Sequence, residues 1–113
     1  MRIPDKVKIG PYIYRVKQRQ EEYRDDNGNL LWGEISYTRQ EIMLGPAPSE
    51  ERRGAAFLHE AIHGILEVAG YGDTDQAVKI ETIIEVLGTG LYEFLTENGL
   101  LAGGDEDGED KAQ

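Results

Sequence analysis

Both histidines of this chain, His59 and His63, lie in the stretch FLHEAIHGIL from Phe57 to Leu66. They are four positions apart, and Glu60 directly follows the first. On a helix, residues i and i+4 stand one above the other on the same face. The two imidazoles can therefore meet at one metal ion, and neutral imidazoles at that spacing suit zinc. Glu60 falls about 100° further round the helix. That is too far round to complete the pair as a ligand, yet close enough to reach a water on the metal. This is the placement of a general base in the HExxH pattern. The flanking Leu58, Ala61, Ile62, Gly64 and Ile65 are uncharged, as a half-buried metal-bearing helix requires. The competing explanation is two histidines that merely decorate an amphipathic helix. Two histidines placed at random in this chain would fall four apart only roughly 2% of the time, and no other histidine is present.

A catalytic zinc takes three protein ligands and keeps one position open. The chain has no third histidine and no cysteine, so the remaining ligand must be a carboxylate. Glu67 continues the four-residue spacing but lies about 12 Å from His59 along the axis, at ~1.5 Å per residue. One ion cannot span that distance on a straight helix. A second apolar-periodic segment offers Glu81, Glu85, Glu93 and Glu97. Glu81 and Glu85 are one turn apart on one face, and either can approach the histidines if the helices meet. Glu85 is favoured, with Glu81 in reserve, because Gly88 and Gly90 follow it and would let the helix backbone come close to its neighbour.

The elements that must hold these residues can be read from patterning. In KVKIGPYIYRVKQRQ, Val7 and Ile9, then Ile13 and Val16, predict strands about a Gly10-Pro11 turn. Asn27-Gly28 is a strong turn signal. LLWGEISYT and QEIMLG predict two further strands with a turn near Thr38-Arg39. Ser49 is the expected N-cap of a helix with Glu50 and Glu51 in its first turn. Leu58, Ile62, Ile65 and Ala69 form its predicted apolar stripe, and Gly70 its stop. A second helix within QAVKIETIIEVLGTGLYEFLTENG repeats apolar residues at Ile80, Ile84, Leu87, Leu91 and Leu95 and closes at Asn98-Gly99. The expected fold is α+β: a small antiparallel N-terminal sheet of about four strands, followed by two long helices packed on one face.

The chain has 113 residues and a net charge of −10, which fits one domain, expected over residues 1–101. Residues 102–113 hold five acids against Lys111 and no apolar residue beyond Ala102 and Ala112, the composition of a disordered acidic tail. An acidic body argues against nucleic acid as a partner. No run approaches the ~18 apolar residues of a membrane span, and MRIPDKVKIG has no signal-peptide core. A soluble, cytoplasmic protein is expected.

FLHEAIHGIL, followed by IETIIEVLGTGLYEFL, resembles the small HExxH…E zinc metallopeptidases. These are gluzincin-like proteins, especially short ones of phages and mobile elements related to the ImmA/IrrE group. GEISYTRQEIMLG is similar to that group's strand-turn-strand before the metal helix, and the resemblance covers residues 30 to 98. It implies a zincin-like fold and a bound Zn²⁺ held by His59, His63 and Glu85. It implies Glu60 as the catalytic base and peptide-bond hydrolysis in a specific protein or peptide substrate. Zincins usually add a residue that steadies the oxyanion, and Tyr71 and Tyr92 are the candidates here. The longer pattern HExxHxxGxxH is not met, since Leu66 and Ala69 stand where it needs Gly and His. The alternative is a non-catalytic zinc protein, in which the metal staples two helices and the surface binds a protein partner.

Overall fold

The computed structural model describes residues 1–71 and 80–101, apart from the side chains of Ile80, Glu81, Ile84 and Glu85. The expected tail, the link after Tyr71 and the expected start of the second helix before Ile80 lie outside the described residues.

Strands β1 (Lys6–Ile9) and β2 (Tyr12–Gln18) form a hairpin in which Gly10 takes φ +58 ahead of Pro11. Its register pairs Val7 with Tyr14, and inward and outward residues alternate from there. Tyr14 and Val16 therefore face inward, and Ile13, expected inside, is 53% exposed. Ile13 and Val16 are three residues apart, so a period of two cannot put both on one face.

The stretch LLWGEISYT is not one strand. Leu30–Leu31 is β4, paired with β3 (Tyr23–Arg24) in a separate ribbon, and Gly33–Ser36 is β5. The ribbon turns at Asp25–Asn29. There the Asp25 carboxylate accepts from the backbone N–H groups of Asn27 and Asn29, both at 2.9 Å, and Gly28 takes φ +81. The Asn29 N–H above all holds the Asp25 carboxyl below its usual range.

β6 (Glu41–Leu44) completes a four-stranded sheet of order β1-β2-β6-β5. It runs antiparallel to β5 but parallel to β2. The sheet is therefore mixed, which corrects the all-antiparallel expectation. A simple meander would set β5 beside β2 and leave β6 at the edge. The inward residues of β6, Ile42 and Leu44, are completely buried, and only a central position covers a strand from both sides. β5, with Gly33, Glu34 and Ser36, takes the edge instead.

Helix α1 (Glu50–Val68) begins as expected, with Ser49 accepting from the Arg52 N–H at 3.1 Å. It ends in a Schellman arrangement: Gly70, at φ +95, donates to the Glu67 carbonyl, and Tyr71 donates to that of Leu66. Helix α2 (Ile80–Glu97) closes the same way, with Gly99 at φ +68. The helices span 19 and 18 residues, and no described helix is long and apolar enough to cross a membrane.

α1 does not bury the stripe expected for it. Phe57, Ala61, Gly64 and Ile65 face inward, while Leu58 and Ile62 are half-buried and Ala69 is exposed. Both stripes are apolar, so composition alone does not choose. The small residues choose: a Cβ on Gly64 would stand 2.9 Å from Ile9 Cδ1, so only this side of the helix lets the sheet come so near.

α2 lies against α1 and β1. Phe94 meets Phe57 with ring centroids 6.0 Å apart. At its end the Asn98 side chain behaves as an extra strand residue. Its Oδ1 accepts from the Lys8 N–H at 2.9 Å, and its amide donates to the Lys8 carbonyl at 3.1 Å. The free edge of β1 is thereby paired at Lys8.

The two glycines of α2 should respond with opposite sign. A Cβ on Gly90 would stand 2.5 Å from Ile65 Cγ2, whereas one on Gly88 meets nothing within 4 Å. Gly90→Ala should destabilise by ~1–3 kcal/mol through overpacking. Gly88→Ala should stabilise by up to ~1 kcal/mol through helix propensity. Asn98→Ala should cost ~1–3 kcal/mol by stripping the Lys8 backbone of both partners. Urea unfolding of the three variants checks all three signs.

Candidate metal centre

The seating of α1 decides what its polar residues can do. With Phe57, Ala61 and Gly64 inward, Glu60 is carried to the border of the core, where it is 7% exposed. His59 and His63 turn to the outer side, and the His59 side chain is 67% exposed. One helical turn thus presents two wet imidazoles beside one desolvated carboxylate.

The imidazoles converge. Their Nε2 atoms are 3.2 Å apart, and the rings meet edge-on with centroids at 4.9 Å. With Zn–N bonds of ~2.0–2.1 Å, two nitrogens at a tetrahedral angle would be roughly 3.3–3.4 Å apart. The observed separation of 3.2 Å is close to that value. Without metal, the same separation permits a hydrogen bond between the rings, with roles set by the tautomers.

Glu60 stands close by, its Oε2 lying 4.0 Å from His59 Nε2. Burial raises its pKa above the ordinary carboxyl value. The His59 and His63 imidazoles oppose that rise, and Glu34 adds to it. The room for this carboxylate comes from Gly33 at the start of β5. A Cβ there would stand 3.2 Å from Glu60 Cγ and 3.3 Å from Oε2. A glycine inside a strand marks close approach by another group, so Gly33 was open to discovery from sequence. Glu34 and Tyr37 were not, because only the seating of β5 against α1 brings them here. The Tyr37 hydroxyl donates to the His63 carbonyl at 3.5 Å, a long bond to the turn that carries the histidines.

Beside His59 and Glu60 runs a groove of about 320 Å³. One wall is the segment Leu30–Gly33, and the other is α1 from Arg52 through Ala55 and Ala56.

The remaining site candidates are placed unevenly. Glu85 and Glu81 lie on α2, but their side chains are outside the described residues. Among the described residues no third acidic or histidine side chain joins the pair. Glu93 and Glu97 instead line an apolar groove of about 390 Å³ with Lys8, Gly10 and Val68. Glu67 lies near Tyr14, whose pKa it helps burial to raise. Tyr92 is 66% exposed and Tyr71 half-buried, and no hydrogen bond among the described residues joins either to the histidines.

The raised pKa of Glu60 has a thermodynamic consequence for the metal-free protein. A carboxyl that binds its proton more tightly when folded contributes stability below its unfolded pKa, and that contribution is lost as pH rises through the folded pKa. Thermal melts in chelator should therefore show stability falling over that window. Glu60→Gln should remove the slope and raise the melting temperature at neutral pH. An unchanged slope in the variant would mean that burial of Glu60 does not carry the effect.

The chain matches no protein-family model, no curated protein and no solved structure.

Proposed function

We propose that the chain is a zinc-dependent metallopeptidase of zincin-like fold, acting in the cytoplasm on a specific protein or peptide. The observation that carries this reading is the pairing of two convergent imidazole nitrogens, 3.2 Å apart, with a buried carboxylate 4.0 Å away. His59 and His63 would hold the zinc, with Glu85 as third ligand and Glu81 as its substitute. Zinc, when bound, supplies Lewis acidity to a peptide carbonyl and to a water.

The chain's own residues supply the rest. Glu60 accepts a proton as water adds to the scissile carbonyl, then delivers it to the leaving nitrogen. A C–O bond forms, the C–N bond breaks, and the carboxylate ends as it began. Desolvation raises the basicity of Glu60 toward that task. β5 is the edge strand beside Glu60, and its unpaired side gives an extended peptide backbone a partner. Tyr71 or Tyr92 would steady the oxyanion only if substrate binding brings it to the site.

Metal analysis should find one zinc per chain, reduced in both His63→Ala and Glu85→Ala. Glu60→Gln should keep its zinc and lose at least ~10²-fold in cleavage of a randomised decapeptide library. A Gln variant that cuts as fast as the parent defeats the mechanism. If the library stays intact while chelation unfolds the protein, the zinc is a staple between helices and the surface serves a protein partner.

A further inference from the structure

The groove beside His59 has a charged far end. Arg52 lines it, with its guanidinium carbon 5.7 Å from the centroid of the Trp32 ring. That is the outer limit of a cation–π contact and leaves the guanidinium N–H donors available. Neighbouring Arg53 pairs with Glu50 at 3.6 Å, and Arg19 reaches Glu34 at 4.0 Å. Among the described residues Arg52 has no carboxylate partner, although the chain carries a net charge of −10. An unpaired arginine over an aromatic ring, at the end of a groove otherwise walled by Leu30, Leu31, Ala55 and Ala56, is suited to a carboxylate with an apolar neighbour. Its planar fork binds such a group with two parallel hydrogen bonds.

The spacing ties this end of the groove to the metal centre. Arg52 and His59 are seven residues apart, which is nearly the same face of α1 and about 10 Å along its axis. An extended chain covers that in about three residues at ~3.3 Å each.

Resting on the metallopeptidase reading, we propose that Arg52 and Trp32 form a carboxylate-binding subsite. It selects peptides with an acidic group about three residues from the bond to be cut. The carboxylate comes from either a peptide C-terminus or a Glu or Asp side chain, and Arg52 serves both by the same contact. The chain as a whole carries a net charge of −10, so the attraction is local to the Arg52 guanidinium.

Trp32 is the sole tryptophan, so its fluorescence reports occupancy of the groove without any need for hydrolysis. The 113-residue chain carrying Glu60→Gln, loaded with zinc, is titrated with three peptides: acetyl-trileucine as the free acid, the same peptide as its C-terminal amide, and acetyl-Leu-Leu-Glu amide. At least one of the two carboxylate-bearing peptides should bind about tenfold more tightly than the trileucine amide, and which one does identifies the source. Arg52→Gln should erase that preference and leave the affinity for the trileucine amide unchanged, while Arg52→Lys should keep part of it. Equal binding of all three peptides, no binding at all, or a preference that survives Arg52→Gln overturns the subsite. In the last case the carboxylate is anchored on the metal. A preference that depends on Arg52, in a protein whose parent form cuts nothing, leaves the subsite standing and defeats only the peptidase reading.

Discussion

The seating of α1 on the sheet is the constraint from which the rest follows. Phe57, Ala61, Gly64 and Ile65 form the seam, and the two small residues among them let Ile9 and Ile35 come close to the helix axis. A rotation of one residue, about 100°, would bury Leu58 and Ile62 instead and swing Glu60 into water. The observed rotation does the opposite. It desolvates Glu60, the carboxylate that stands beside the histidines among the described residues, and leaves the histidines wet. The character of these side chains is thus an outcome of packing: burial makes Glu60 more basic, and the imidazoles stay exposed.

The sheet treats its two edges differently. At β1, Asn98 supplies an amide that satisfies both backbone groups of Lys8, so the end of α2 covers that edge at its middle. Among the described residues no strand pairs with the outer side of β5, and it is this edge that begins at Gly33 beneath Glu60. The outward face of the sheet is managed with charge. Glu41 is ringed by Lys17 at 2.9 Å, Arg15 at 3.4 Å and Arg39 at 3.7 Å, and the hydrogen bond from Lys17 keeps its carboxyl below the usual range. Such exposed pairs contribute little stability each, but they keep the face polar.

Much of the local structure was legible because short-range physics sets it. Ser49 caps α1 by a bond to a backbone N–H three residues on, and Gly70 and Gly99 end the helices because their positive φ suits glycine. Asn27-Gly28 makes a turn for the same reason, with Asp25 binding the backbone it overhangs. Misreadings arose where two local solutions were nearly equal. Ile13 and Tyr14 are both apolar enough to face inward, and hairpin register chose Tyr14. Gly88 and Gly90 look alike in sequence, yet only Gly90 faces Ile65.

Sequence by itself determined the candidate set: two histidines one helical turn apart, a glutamate beside the first, and no cysteine. It also determined where the helices stop, since caps depend on neighbours in the chain. Tertiary structure alone decided which face of α1 is buried, that β6 inserts parallel to β2, and that Gly33, Glu34 and Tyr37 gather around Glu60 and His63. The reason is physical. A cap or a turn is a choice among conformations of a few residues, with one clear winner. The rotation of a helix and the order of strands are choices among nearly equal apolar faces, settled only by which arrangement lets small residues meet large ones across the core.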